Sequence, residues 1–133
     1  MKNEAKSTLP PTQLPTEAEL EILNVLWANG PSTVRDVHTR IGKGVGYTTV
    51  LKQMQVMAEK GLLTRSEQFR SHVYTPHLEK TQTQRRLAGN LLQRAFDGSA
   101  RDLVLGALSG QRVSAQELDE IRRLLDDYEK GTL

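Results

Sequence analysis

Three of the five residues in Gly42-Lys43-Gly44-Val45-Gly46 are glycine, and this break constrains the fold more than any other feature of the chain. Glycine weakens helix and strand interiors and admits backbone conformations closed to other residues. A helix must therefore stop before this segment, and a new element must start after it. Val34, Val37 and Ile41 precede the break at helical spacing. After it, apolar residues recur with helical period from Tyr47 to Lys60 and stop at Gly61. Two short helices joined by a glycine turn are the unit around which the rest must be arranged.

Upstream, Thr16-Glu17-Ala18-Glu19 has the form of a capping box, in which a hydroxyl and a glutamate reciprocally satisfy the free amides of a helix start. Leu20, Leu23 and Trp27, flanked by Ile22, Val25 and Leu26, predict a helix that Gly30-Pro31 closes. Ser32 is the expected cap of the second helix. Downstream, Leu62–Arg65 and His72–Thr75 read as two short strands around a polar loop, Ser66–Ser71, with Pro76 ending the unit. The order helix, helix, glycine turn, helix, hairpin predicts a winged helix-turn-helix over residues 16–77. The first fifteen residues are polar, carry three prolines and lack the apolar core of a secretory signal. They are expected to form a flexible arm on a cytoplasmic protein.

Beyond Pro76 only helical periodicity remains. One helix is predicted from about Leu78 to Phe96, a short one to Gly110, and a last one opened by Ser114-Ala115-Gln116-Glu117. The class is therefore mainly α with a small β hairpin, the winged unit being followed by a three-helix region, residues 78–133. Aromatics are only 5% of the chain, so the cores must be built from Leu, Val, Ile and Met. Some 56 residues in three helices make a small core, and these apolar stripes are wider than one such bundle needs. Leu87, Leu91, Leu92, Leu103, Leu108, Leu118, Ile121 and Leu125, with Tyr128 on the inward side of the last helix, are expected to pack against a second copy as a dimerisation domain. The alternative is a monomeric bundle folded back on the first domain.

With Val50 at zero and 100° per residue, Met57, Val50, Met54, Tyr47, Ala58 and Leu51 share an arc of about 120° on the third helix. Thr48, Thr49, Lys52, Gln53, Gln55 and Val56 take the other side. Hydroxyls, amides, one ammonium and one aliphatic group suit the edges of bases in a DNA major groove, although an isolated helix with such a face could simply be solvated. The charge distribution favours DNA. The total is only +2, but residues 31–77 hold seven basic residues against three acidic ones, a net +4. Residues 1–30 carry −2 and residues 78–133 are neutral. Arg65 and Arg70 flank the predicted wing, where phosphates would lie.

Other classes find little support. There is no cysteine, so disulfide and thiolate metal sites are excluded. The three histidines, His38, His72 and His77, have no accompanying carboxylate pair or metal-ligand spacing. No catalytic residue, metal or cofactor is assigned. No apolar run approaches the ~20 residues of a membrane span, so no membrane insertion is expected. A winged-helix module used only for protein–protein assembly, and a regulator that answers to a small-molecule ligand, remain as alternatives.

The stretches LPTEAELEILNVLWANG, TVRDVHTRI, GYTTVLKQMQVMAEKGLL, HVYTP, FDGSARDLVLGAL and SAQELDEIRRLL resemble the penicillinase repressor family, BlaI/MecI, over roughly residues 14–130. The Tyr-Thr-Thr-Val start of the third helix and its Lys-Gly-Leu-Leu end are the most specific pieces. The resemblance implies a homodimeric repressor of a resistance or stress operon, bound to double-stranded operator DNA with dyad symmetry. Thr48, Thr49 and Lys52 fall where members of the family contact DNA. Gln53 and Gln55 come from the helix-face geometry alone. Copper-responsive members carry a cysteine cluster in the tail, and its absence here excludes thiolate sensing. In β-lactamase-linked members a membrane sensor metalloprotease system cleaves an Asn-Phe bond. The corresponding stretch here is Leu105-Gly106-Ala107-Leu108, so Gly106 and Ala107 mark a proteolytic-inactivation region only for a protease of different specificity.

Overall fold

A computed structural model describes residues 13–42, 44–68 and 70–133. The expected arm lies almost wholly outside them. The element order is α1 (Glu17–Asn29), α2 (Val34–Ile41), α3 (Tyr47–Glu59), β1 (Leu63–Gln68), β2 (Ser71–Pro76), α4 (Lys80–Ala95), α5 (Ala100–Gly110) and α6 (Ala115–Lys130). This is the mainly helical class with one hairpin that the sequence predicts. No helix among the described residues is long and apolar enough to cross a membrane.

The chain divides into two compact units, one extending through Ala88 and the other starting at Gly89. In the first, α1, α2 and α3 enclose a core of Ile22, Leu23, Leu26, Val34, Val37, Val50, Met54 and Met57, closed by Leu62, Leu63 and Tyr74 from the hairpin side. Each such side chain contributes about 1.5–3 kcal/mol by leaving water. Within α1 the buried apolar residues are Ile22, Leu23 and Leu26, while Trp27 is half-buried. The Trp27 indole Nε1–H donates to the Leu78 carbonyl at 3.1 Å. Thr83, on the first half of α4, is buried as well.

The capping box at Thr16 is complete: Glu19 N–H donates to Thr16 Oγ1, and Thr16 N–H donates to Glu19 Oε1. The cap of α2 differs from expectation by one residue. Thr33, not Ser32, caps the helix, in a reciprocal box with Asp36. Ser32 is instead paired through its backbone to Tyr74 on β2, its N–H donating to the Tyr74 carbonyl and its carbonyl accepting from the Tyr74 N–H. Its hydroxyl donates to the Gly30 carbonyl. Tertiary pairing thus claims one of two adjacent hydroxyl residues and leaves the other to cap.

The hairpin is longer than expected. Most of the predicted loop Ser66–Ser71 is strand, with Gln68 paired to Ser71 and Arg70 at φ 66° in the turn between them. Thr64 to Gln68 are all exposed. With both faces in water, this stretch has no apolar alternation from which a strand could be read. Because the Tyr74 N–H and carbonyl point to Ser32, Tyr74 and Arg65 form a non-hydrogen-bonded pair. Pro76, opposite Leu63, falls at the same kind of position, where the ladder asks for no N–H.

In the second unit, Ser99 Oγ accepts from Asp102 N–H to cap α5, and Ser114 Oγ accepts from Glu117 N–H to cap α6. Asp97 and Gly98, both at positive φ, turn the chain between α4 and α5. No residue of α5 or α6 is buried. Leu103, Leu118 and Ile121 are half-buried, whereas Leu91, Leu108, Leu124, Leu125 and Tyr128 stand exposed, Tyr128 at 72%. The inward placement expected for Leu125 and Tyr128 is therefore not met within one chain. Three helices of this length leave too little interior to cover both ends of the α6 stripe.

Candidate nucleic-acid interface

The 13 residues of α3 span about 20 Å at 1.5 Å per residue. Val50, Met54 and Met57 anchor the helix in the core, and this fixes what faces outward. Thr48, Thr49, Lys52 and Gln55 are exposed, as is Val56, while Gln53 is half-buried at the edge of the face. The arc reading misplaced one residue. Tyr47 is 43% exposed, because the first residue of a helix has no preceding turn to hold its side chain inward.

The polar groups on this face are uncommitted. Thr48, Thr49, Lys52, Gln53 and Gln55 make no side-chain hydrogen bond or ion pair among the described residues, and neither do Arg65 and Arg70. Elsewhere in the same unit side chains are used internally: Thr33 and Asp36 close a cap, and the Thr39 hydroxyl donates to the Arg35 carbonyl. Arg65 lies in mid-strand opposite Tyr74, and Arg70 sits in the hairpin turn. Arg35 and Arg40 on α2 are two further exposed cations without a side-chain partner among the described residues. Their exposed helix positions were the signal that could have added them to the candidate residues.

The start of α3 is also open. Gly46 occupies the cap position without a side-chain hydrogen bond, and the first turn holds no acidic residue. Thr16, Thr33, Ser99 and Ser114 all place a side-chain oxygen on the amides of their helices, each with an acidic residue in the first turn. At α3 no side chain among the described residues caps those amides or offsets the positive end of the helix dipole, an arrangement that favours an anionic oxygen such as a phosphate.

One cation in the +4 segment is already engaged. Lys60 Nζ lies 2.8 Å from Glu19 Oε2, and the Glu19 side chain is only 8% exposed. Burial pushes the Glu19 carboxyl up. The hydrogen bond and charge of Lys60, with the amide and hydroxyl of Thr16, outweigh that and hold it below its ordinary value of 4.5. Glu19 is thus a carboxylate, and Lys60 ties the far end of α3 to the first turn of α1. Among the described residues of this segment, the positive charge left for a polyanion is that of Arg35, Arg40, Lys52, Arg65 and Arg70.

Comparison with known proteins places this geometry. A family model described as penicillinase repressor matches residues 15–127. The transcriptional regulator BlaI of Mycobacterium tuberculosis is 31% identical over 118 residues, covering 86% of this chain and 85% of that protein. A penicillinase repressor of Bacillus licheniformis is 24% identical over 115 residues, covering 85% and 90% respectively. The methicillin resistance regulatory protein MecI of Staphylococcus aureus is 20% identical over 113 residues, covering 84% and 92%. These relatives are named as regulators, not enzymes, and the match runs through the winged unit and the helical tail alike. The chain belongs to the penicillinase repressor family.

Proposed function

We propose that this protein is a homodimeric transcriptional repressor that binds double-stranded operator DNA with dyad symmetry. The observation that carries this reading is the outward face of α3, where two hydroxyls, two amides and one ammonium are presented with no partner among the described residues. Thr48 and Thr49, beside the open helix start, suit phosphate or base contacts, and Lys52, Gln53 and Gln55 suit base edges. Arg70 in the hairpin turn, with Arg65 behind it, suits the flanking backbone.

The exposed leucines and Tyr128 of the second unit support self-association, since soluble monomers rarely leave a broad apolar surface in water. Leu87, Leu91, Leu92, Leu103, Leu108, Leu118, Ile121 and Leu125 are the residues assigned to the interface. Two copies related by a twofold axis would read half-sites about one helical turn apart, or a multiple of it. Residues 16–77 serve in this reading as the DNA-binding domain and residues 78–133 as the dimerisation domain, in the cytoplasm. The regulated genes belong to a resistance or stress operon, in keeping with the names of the relatives.

Release from DNA is assigned to cleavage near Gly106-Ala107 by a membrane sensor metalloprotease. Both residues are exposed but helical in α5. The segment must therefore unwind to be cut, and Gly106 lowers that cost by about 1 kcal/mol relative to alanine. A small-molecule signal is the alternative means of release; the crevice lined by Leu14, Pro15, Leu23, Leu62, Leu78, Thr83 and Arg86, at about 10 Å³, has room only for a water.

The test is fluorescence anisotropy with duplex from upstream of the protein's own gene and with random duplex, at low and moderate salt. Preferential, salt-sensitive binding to the upstream duplex, with a symmetric footprint, is expected. Absence of binding to either duplex at low salt would favour a protein–protein assembly module.

A further inference from the structure

The glycine turn that leads into α3 is held by one side chain that has no part in the DNA-reading face. His38 lies on α2, half-buried. Its Nε2 is 2.9 Å from the Val45 carbonyl. A carbonyl can only accept, so Nε2 carries the proton and donates. The same ring meets Tyr47 edge to face, with centroids 5.8 Å apart and planes at 86°. Its two contacts thus fall on either side of Gly46, one on the residue before the cap and one on the residue after it.

Local sequence does little to hold this junction. Gly42 and Gly44 both sit at positive φ, 90° and 94°, and glycine has the largest conformational freedom to lose. Gly46 gives the helix no side-chain cap. Val45 packs against the core through its side chain, which leaves its carbonyl, and with it the direction of the chain into Tyr47, to be set by another group. His38 is that group. Thr48 and Thr49 follow directly, so any swing of the first turn displaces the side chains and free amides presented to DNA.

We propose that His38 is a positioning residue for DNA reading: by fixing the Val45 carbonyl and the Tyr47 ring it sets where the first turn of α3 stands, and so sustains discrimination between sequences. The inference rests on α3 being the DNA-reading helix. It requires His38 to act on specificity more than on general affinity, because phosphate contacts from Arg65 and Arg70 tolerate small shifts better than base contacts do.

The experiment uses the full chain and two probes, a duplex selected by the wild-type protein from a random-sequence library and an unselected random duplex. His38→Ala should weaken the selected duplex roughly fivefold to tenfold, as expected for one lost hydrogen bond plus a loosened helix start, with random-duplex affinity unchanged. His38→Gln, whose amide can donate to Val45, should restore most of the difference. Hydrogen exchange of the free protein gives a readout without DNA: the Val50 and Leu51 amides should lose protection in His38→Ala, with the core amides of α1 unchanged. Equal loss on both duplexes, or loss of protection throughout the unit, would show a general structural role and overturn the proposal. So would an unchanged ratio together with unchanged exchange. If the wild type selects no duplex, the reading of α3 fails by itself, and the exchange measurement still decides whether His38 holds the helix start.

Discussion

Lys60 Nζ and Glu19 Oε2 meet at 2.8 Å across 41 residues of sequence, joining the end of α3 to the first turn of α1. The same carboxylate accepts from the Thr16 N–H through its other oxygen. One buried side chain therefore closes a helix cap and anchors the far end of α3. His38 acts at the near end of that helix, so both ends are held from outside it.

Glu19 makes stability depend on acid pH, in a definite direction. Its carboxyl lies below 4.5 in the folded protein. The stabilisation is therefore complete above the ordinary carboxylate value and is lost as pH falls through the folded value. Glu19→Gln retains the hydrogen-bonding shape of the cap but not the charge. At pH 7 it should be less stable than wild type by about 1 kcal/mol, a modest figure because the Lys60 side chain is one-third exposed. Urea unfolding from pH 7 down to about pH 3 should show the two proteins converging. A gap that stays constant with pH would remove the ion pair as its cause.

Lys52 and Arg70 should separate by kind of loss. Lys52→Ala removes an uncommitted ammonium from the middle of the α3 face and should cost roughly 1–3 kcal/mol on operator DNA, with little change on random duplex. Arg70 stands at φ 66°, so alanine there would strain the turn as well as remove the charge. Arg70→Asn avoids this, because asparagine tolerates the left-handed region. It should weaken all duplexes about equally and lower the salt slope by about one. Equal loss on both duplexes for Lys52→Ala would reassign that residue to the phosphates.

The two kinds of structure in this chain were unequally legible. Thr16, Gly30 and Ser114 could be read as helix boundaries because capping is a local matter of a few adjacent residues. The cap of α2 could not, since Ser32 and Thr33 are both competent and the choice was made by Tyr74, 42 positions away. The wing was half visible: Leu63 and Tyr74 reach the core, but beyond them the ladder has no buried face to leave a pattern. Most of the α3 face followed from a fixed core stripe. Tyr47 escaped because helical angles take no account of where a helix begins. Glu19 was legible as a capping residue and Lys60 only as a charge; their pairing was not, since nothing local brings them together.

The exposed stripe of α6 makes a clean test of self-association. Leu125 is 61% exposed in the single chain, so Leu125→Asp removes little that the chain's own fold uses. A charge placed in a dimer interface is costly. The variant should sediment as a monomer with unchanged helical circular dichroism, and should bind a two-half-site operator far more weakly than wild type while retaining its weak affinity for one half-site. Leu91→Asp should behave likewise. Either variant remaining dimeric would remove that residue from the interface.

Glycine in helices of the second unit offers a last test, one that links stability to release from DNA. A Cβ at Gly106 would stand 3.5 Å and 3.6 Å from two carbons of the Phe96 ring, and a Cβ at Gly89 would meet nothing within 4 Å. Neither position clashes, and neither carries a positive φ that would call for glycine. Alanine at each should therefore stabilise by about 0.5–1 kcal/mol through helix propensity. Gly106→Ala should gain more than Gly89→Ala, because its methyl also contacts Phe96. Thermal unfolding would measure both. If inactivation proceeds by cutting α5, Gly106→Ala should also slow cleavage by the cognate sensor, because the helix must open at that point to enter a protease, while Gly89→Ala should leave the cleavage rate unchanged. Equal rates for wild type and Gly106→Ala, despite a measured gain in stability, would place the cut outside α5.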